Sequence, residues 1–139
     1  HVAGYLIAQC SAAIAASSVL FLLFPDVATM GQTIPHIGIW RSFIMEIFLS
    51  FVLMFVIIHV SEGSKEKGLL AGVAIGSLVG LEALFAGPLT GASMNPARSL
   101  GPALYSQQLS VLWLYILGPV LGMLLASITC SLLRGKDCC

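Results

Sequence analysis

The sequence predicts an all-α membrane protein with four spanning helices and one re-entrant half-helix. The chain of 139 residues is 58% hydrophobic and 9% charged, and its mean hydropathy is +1.02. Four apolar stretches, at about residues 2–24, 39–60, 69–85 and 111–133, each approach the roughly 20 residues that a helix needs to cross a bilayer. This composition excludes a soluble domain. We predict the lipid bilayer, and no nucleic acid, as a partner.

Positive charge is distributed unequally between the connecting segments. Four of the five Lys and Arg residues outside residues 87–106 lie in loop 61–68 and in the C-terminal tail. These two segments share one side of a four-span chain, so the positive-inside rule places them in the cytoplasm. We therefore predict a multi-pass protein of the plasma (cell inner) membrane with a cytoplasmic C-terminus. The five residues are Arg41, Lys65, Lys67, Arg134 and Lys136.

Two spans contain a carboxylate at bilayer depth. In the second span, Ser42, Glu46 and Ser50 follow at four-residue intervals, so they share one helix face, which we expect to face the bundle interior. Glu46 is either a ligand for a proton or solute, or an acceptor for backbone N–H groups. The second role is favoured because a re-entrant loop needs acceptors. Glu82, in the third span, accepts from polar groups of a neighbouring helix, is protonated, or contacts a solute directly.

Three spans carry small residues at intervals of four, which lets helix backbones approach closely in a membrane. We predict that these helices pack together, although such stripes do not indicate a function. The stripes are Ala8, Ala12 and Ala16; Gly72, Gly76 and Gly80; and Gly118, Gly122 and Ala126.

A polar run, GPLTGASMNPARSLGPAL, interrupts the apolar series within a re-entrant segment of about residues 87–106. Irregular chain survives in hydrocarbon only where protein or a water-filled cavity satisfies its backbone. Asn95 suits a helix N-cap and Pro96 the first helical position. About ten helical residues would then cover about 15 Å, half of a bilayer core. The helix N-terminus, the Asn95 amide and the Arg98 guanidinium would repel cations and donate to neutral solutes, which predicts a solute site.

The same run resembles the second Asn-Pro-Ala loop of the major intrinsic proteins, the aquaporins and aquaglyceroporins. An arginine directly after the motif, a glutamate two helices earlier and Gly118-Pro119 in the last span extend the resemblance over essentially the whole chain. The resemblance implies an aquaporin-like bundle, a six-span inverted repeat with two half-helices, assembled as a homotetramer. Residues 1–139 correspond to the second part of that fold. We therefore expect a partial channel domain, a fragment without the first two spans and the first Asn-Pro-Ala loop.

The resemblance also implies roles for individual residues. Glu46 would brace the re-entrant loop, and Glu82 would be a polar group beside the pore. Alanine at position 83 would make the narrowest part of the pore wide and weakly polar. The pore centre would hold Asn95, Pro96 and Ala97, and the selectivity filter would hold Arg98, Ala92 and Ala83.

Positions beyond the motif resemble one subgroup, the plant nodulin-like intrinsic proteins and their bacterial relatives. These positions are Ser99, Ala103, Tyr115 and Ile116. Glu82 stands where plant members are expected to have asparagine, which favours a bacterial relative. The subgroup implies a passive channel for water and small uncharged solutes such as glycerol, urea and the metalloid acids, boric and arsenous acid. Ions and protons would be excluded.

Two other classes of protein are weighed against a channel. A gradient-coupled secondary transporter also binds substrate at broken helices, and it would need a titrating carboxylate such as Glu46 or Glu82. An intramembrane metalloenzyme using Glu46, Glu82 and His59 is disfavoured because no two of them have the i, i+3 or i, i+4 spacing of helical metal ligands. We predict no enzyme activity, no catalytic residues, no metal and no cofactor.

Overall fold

The computed structural model describes residues 1–27, 29, 31–61 and 65–134. Within these residues the chain forms helices and no strand. The helices are α1 (Val2–Leu23), α2 (Ile39–Ser61), α3 (Lys65–Thr90), α4 (Pro96–Tyr105) and α5 (Leu112–Arg134). Four are long and apolar enough to cross a membrane, and α4 has ten residues. The predicted set of four spans and one half-helix is confirmed. Parts of the two charged segments, residues 62–64 and 135–139, lie outside the described residues.

The closest helix pair is α2 with α5, and glycine makes that approach possible. A Cβ on Gly118 would lie 3.0 Å from the Cβ of Glu46. On Gly122 it would lie 2.9 Å from both the backbone nitrogen of Phe51 and the Cβ of Ser50. Real Cβ atoms essentially never come closer than 3.0 Å to a neighbour. The α5 stripe therefore packs backbone against backbone, as predicted.

The α1 stripe does not make the predicted contact. Ala8, Ala12 and Ala16 are exposed, and α1 packs instead on α4 through a neighbouring stripe. A Cβ on Gly101 of α4 would lie 2.5 Å from the carbonyl oxygen of Ala13 in α1. Gly101 meets the adjacent face of α1, which carries Ala13 and Ser17, so the α1 stripe has no partner among the described residues.

The α3 stripe is open within the described part of the chain. No atom lies within 4 Å of a Cβ built on Gly72, Gly76 or Gly80. The contacts of α3 use a different face, where Ile75 and Leu78 pack on buried residues of α2 and of the break. The small residues of α3 therefore predict a packing partner that the described part of the chain does not supply.

Helix α3 also continues past its predicted end at residue 85 and beyond the predicted start of the break at residue 87. It runs to Thr90 with Pro88 inside its last turn. Proline removes an N–H and crowds the preceding residue, but Gly87 has no Cβ to be crowded. The next turn closes normally, since the N–H of Gly91 donates to the carbonyl oxygen of Gly87 at 2.9 Å. The irregular break is thus four residues shorter than the sequence suggested at this end.

The core lies directly beneath the break. Ser42, Glu46 and Ser50 are all fully buried, which confirms that their shared face points into the bundle. A cluster of buried apolar residues adjoins them and joins α2 and α3 to the break: Leu49, Leu53, Ala86, Ala92 and Met94. The break is therefore seated on packed side chains and not suspended in open space.

The connection between α1 and α2 returns across the break. Residues 31–38 of this connection, called the outer segment below, contact the last turn of α3 and the first residue of the irregular chain. A Cβ on Gly91 would lie 2.9 Å from the Cα of Thr33, and the N–H of Ile37 donates to the carbonyl oxygen of Leu89 at 3.3 Å. The break is therefore enclosed between α2 on one side and the outer segment on the other.

Candidate functional site

The irregular break consists of residues 91–95, and its backbone conformation is uncommon. Gly91, Ala92 and Met94 have positive φ angles of 86°, 42° and 52°. Glycine adopts such angles freely, whereas the left-handed conformation costs a residue with a Cβ about 1–2 kcal/mol. Two non-glycine residues in this region must therefore be held there by surrounding contacts.

Glu46 supplies most of those contacts. Its fully buried carboxylate accepts from the N–H of Ser93 at 3.0 Å and from Thr90 Oγ1 at 2.8 Å through Oε1, and from the N–H of Met94 at 2.9 Å through Oε2. Thr90 Oγ1 in turn accepts from the N–H of Ala92 at 3.1 Å. Glu46 and Thr90 together thus satisfy the N–H groups of three successive residues of the break.

The N–H groups of the break are all hydrogen-bonded, whereas the carbonyl groups of residues 91–94 are not. The N–H of Gly91 is bonded to Gly87, and that of Asn95 donates to Ser93 Oγ at 3.4 Å, so every N–H from 91 to 95 has an acceptor. No hydrogen bond from any described residue ends on the carbonyl oxygens of residues 91–94. Unbonded carbonyls are costly in hydrocarbon, so this side of the break requires water or another polar molecule.

The half-helix α4 begins as the sequence predicted. Asn95 is the N-cap, with φ −150° and ψ 115°, and its Oδ1 accepts from the N–H of Ala97 at 3.0 Å. Pro96 occupies the first helical position, where its missing N–H costs nothing. Because the amide oxygen of Asn95 is used by the cap, its NH₂ group is the part that stays available to donate.

Arg98 lies one turn into α4 and is exposed. Its Nη1 donates to the carbonyl oxygen of Gly31 in the outer segment. A guanidinium has five N–H donors, and this is the one bond that it makes to the described residues. Most of its donors are therefore free for a molecule that passes beside it.

One cavity of about 740 Å³ brings most of the predicted site residues together. Ala83 of α3, Ala92 of the break, and Asn95, Pro96 and Arg98 all line it. Arg98 is the one charged side chain among the described residues of its wall. The rest of the wall consists of residues 91, 93 and 94 of the break, one amide and six apolar side chains: Gln9, Leu6, Leu53, Ile57, Val79, Val120 and Met123.

Two residues that were expected at or beside the pore, Ala97 and Glu82, do not line this cavity. Ala97 is buried behind the start of α4. Glu82 is 2% exposed, and its Oε2 is enclosed without a hydrogen-bond partner among the described residues. Glu82 is the neighbour of Ala83 in sequence but belongs to the packed face of α3, so it lies behind the wall and not on it.

The structure does not assemble the alternative metal site. His59 lies near the end of α2, with its Nδ1 2.7 Å from the carbonyl oxygen of Phe55 in the same helix. Across the described parts of the chain, no three His, Cys, Asp or Glu side chains are grouped so that they could hold a metal ion.

Of the residues that support the break from outside, sequence reasoning missed Thr33 and identified Ser99 and Tyr115 only as positions that resemble one subgroup. Thr33 Oγ1 donates to Ser99 Oγ at 2.9 Å, and Ser99 Oγ lies 2.6 Å from Ser93 Oγ. The hydroxyl of Tyr115 in α5 donates to the carbonyl oxygen of Thr90 at 2.7 Å. Thr33 lies in a connection without periodicity or motif, so nothing in its sequence context could have identified it.

Comparison with known proteins gives the family. The Major intrinsic protein family model matches residues 1–130. Aquaporin NIP2-1 of Oryza sativa subsp. japonica is 43% identical over 133 residues, which cover 96% of this chain and 45% of the relative. Aquaporin NIP1-4 of the same species is 46% identical over 131 residues, covering 94% and 48%. Aquaporin NIP6-1 of Arabidopsis thaliana is 39% identical over 134 residues, covering 96% and 44%.

The chain spans about half the length of the curated relatives it matches. Its four apolar helices and these relatives together indicate an integral, multi-pass membrane protein with part of an aquaporin fold. The predicted resemblance is confirmed over nearly all of the sequence. The chain belongs to the major intrinsic protein family.

Proposed function

We propose that the protein that carries this sequence is a passive transmembrane channel for water and small uncharged solutes. One observation carries the proposal. The amide of Asn95, the guanidinium of Arg98 and the residues of the break whose carbonyls are unbonded all line the same cavity. A molecule in that cavity would find donors and acceptors in reach without any group that must react.

Permeation through such a cavity requires only an exchange of hydrogen bonds. Water or an alcohol would accept from Asn95 and Arg98 while it donates to the carbonyls of residues 91–94. Those bonds replace hydration, and the six apolar side chains of the wall offer no competing bonds that would trap the solute. No covalent step is involved, so the proposed activity is transport and not catalysis.

Exclusion of cations and protons follows from charge. Arg98 is the one charged residue among the described cavity residues, and the N-terminus of α4 begins beside it. The partial positive charge of a helix N-terminus adds to that of the guanidinium. Hydronium, ammonium and metal cations would therefore meet repulsion at the same place where neutral molecules receive hydrogen bonds.

The size of the solute would depend on Ala83 and Ala92. Both are alanines on the cavity wall, so neither side chain extends far into the cavity. We infer a filter wide enough for glycerol, urea, boric acid and arsenous acid as well as water. The names of the relatives describe them as aquaporins and so support the water part of this proposal.

The remaining wall of the pore would come from outside this sequence. We propose that the chain forms the second part of a six-span protein, in which a first Asn-Pro-Ala loop faces Asn95. The open glycine face of α3 supports this, since Gly72, Gly76 and Gly80 are free to take a closely packed helix. We further propose a homotetramer in the plasma (cell inner) membrane. Its C-terminus would be cytoplasmic, an orientation that the distribution of Lys and Arg supports.

A gradient-coupled secondary transporter is the second candidate, and one observation favours it. The enclosed Oε2 of Glu82 has no partner among the described residues, as a carboxylate that binds a proton during transport would require. Against this candidate, Glu82 does not line the cavity.

Flux measurements on the full-length protein in proteoliposomes separate the two candidates. We expect water and glycerol to equilibrate down their own gradients at rates that do not change when a proton or sodium gradient is imposed. Accumulation of solute against its own gradient would overturn the channel proposal and support the transporter. Protein-free liposomes provide the background rate.

A further inference from the structure

Three buried hydroxyl groups connect the outer segment to the break. The side chains of Thr33, Ser93 and Ser99 are 3%, 4% and 1% exposed. Thr33 Oγ1 lies 2.9 Å from Ser99 Oγ, which lies 2.6 Å from Ser93 Oγ, and Ser93 Oγ lies 3.0 Å from the carbonyl oxygen of Asn95. These bonds join the outer segment to the break and to α4, and Thr33 and Ser99 are 66 residues apart in sequence.

The hydrogen bonds of this chain have one direction in which all of them form together. Each hydroxyl has a single proton to donate. Ser93 must use its proton on the carbonyl of Asn95, because a carbonyl cannot donate. Ser99 must then donate to Ser93, which leaves Thr33 to donate to Ser99. Thr33 is therefore the first donor of a one-way chain that ends on the N-cap residue of α4.

The backbone around Thr33 also holds Arg98. Two residues earlier, the carbonyl of Gly31 accepts from Arg98 Nη1. The Cα of Thr33 rests on Gly91 so closely that a Cβ there would come within 2.9 Å of it. The place of the Gly31 carbonyl, and with it the place of the guanidinium, thus depends on how Thr33 is fixed to the break.

We propose that Thr33 is a positioning residue for the selectivity of the pore. Its hydroxyl fixes the outer segment to Ser99, so that Gly31 keeps the guanidinium of Arg98 against the cavity wall. This inference rests on the proposed channel function. Without the Thr33 bond, the outer segment shifts and Gly31 no longer accepts from Arg98. The flexible, charged side chain of Arg98 then occupies many positions in the cavity. Larger solutes are then obstructed more than water.

The test is the ratio of glycerol to water permeability of the full-length protein in liposomes. Once the flux of protein-free liposomes is subtracted from each permeability, the ratio does not depend on how much folded protein is present, so a loss of stability alone leaves it unchanged. Thr33→Val keeps the shape and removes the hydroxyl, and Thr33→Ser keeps the hydroxyl. Thr29→Val is the matched control, because Thr29 is exposed on the same connection and its hydroxyl bonds to no described residue.

We expect Thr33→Val to lower the ratio by about fivefold, the factor that corresponds to the net loss of one hydrogen bond. Thr33→Ser and Thr29→Val should retain the wild-type ratio. If Thr33→Val does not reach the membrane, Ser99→Ala removes the same bond from its other end, together with the bond to Ser93, and should lower the ratio in the same direction. An unchanged ratio in the variant that is measured, or an equal fall in Thr33→Ser, would overturn the role of the hydroxyl. Absence of water flux in wild-type liposomes would instead count against the channel itself.

Discussion

Replacement of Glu46 by glutamine is the sharpest perturbation of the break, because it changes one atom and cannot be accommodated. The carboxylate accepts three hydrogen bonds through two oxygens, two of them from the N–H groups of Ser93 and Met94. A glutamine has one oxygen and one NH₂ group. If its oxygen faces Ser93, the NH₂ group faces the N–H of Met94. If the side chain is flipped, the conflict moves to Ser93. In either orientation one buried N–H of the break loses its acceptor.

The cost can be estimated from these bonds. A buried N–H without an acceptor costs about 1–3 kcal/mol. The two bonds that survive change from bonds with a carboxylate, worth about 1.5–3 kcal/mol each, to bonds with a neutral amide, worth about 0.5–1.5 kcal/mol each. Together these changes give about 3–6 kcal/mol. The hydrogen bonds that hold Ala92 and Met94 at positive φ angles would then be weakened.

The free energy of unfolding, measured by SDS titration in mixed micelles, checks this estimate. Glu82→Gln is the matched control, since it makes the same change in another buried carboxylate that binds no atom of the break. We expect Glu46→Gln to lose about 3–6 kcal/mol, with a fall in water flux per folded molecule, and Glu82→Gln to lose little. Equal effects of the two substitutions, or a loss below about 1 kcal/mol for Glu46→Gln, would refute the reasoning.

Three other substitutions test separate parts of the site. Ala83→His should narrow the cavity wall and lower glycerol flux about tenfold more than water flux; equal loss of both would show that position 83 is not at the constriction. Arg98→Ala removes the one charge of the described wall and frees the Gly31 carbonyl, so proton conductance should rise, and an unchanged conductance would contradict the electrostatic role. Gly122→Ala should destabilise the protein by about 1–3 kcal/mol because its Cβ meets the backbone of α2. Gly72→Ala, which meets no described atom, is its control in the same unfolding assay.

The sequence predicts best where local chemistry decides the structure. Asn95 and Pro96 carry the preferences of an N-cap and a first helical residue, and α4 begins at that point. The spacing of Ser42, Glu46 and Ser50 predicts one buried face, which is what the structure contains. In each case a pattern of residues within one helix is enough to indicate the feature.

Prediction fails where the deciding contact is distant. The end of α3 was placed at Phe85 because Gly87 and Pro88 suggest a break, yet the turn after Pro88 closes on Gly87. Thr33 gives no local signal, since its partner Ser99 is 66 residues away. The stripes of α1 and α5 are equally regular in sequence, and only the helix opposite each one determines whether it packs.

Glu46 and Asn95 have opposite effects on the hydrogen-bonding groups that the break leaves free: Glu46 leaves acceptors, and Asn95 leaves donors. Glu46 and Thr90 draw the N–H groups of residues 92–94 to the α2 side, which leaves the carbonyls of residues 91–94 as free acceptors. At Asn95 the cap uses the amide oxygen, so that donors remain available there, and Arg98 adds more. A neutral hydroxyl both donates and accepts, and it would be satisfied by the two halves together. A cation would bind the acceptors but be repelled by the donors. An anion would bind the donors but be repelled by the acceptors. Selectivity for uncharged solutes would thus arise because the two kinds of group stand in one cavity, and it does not require a close steric fit.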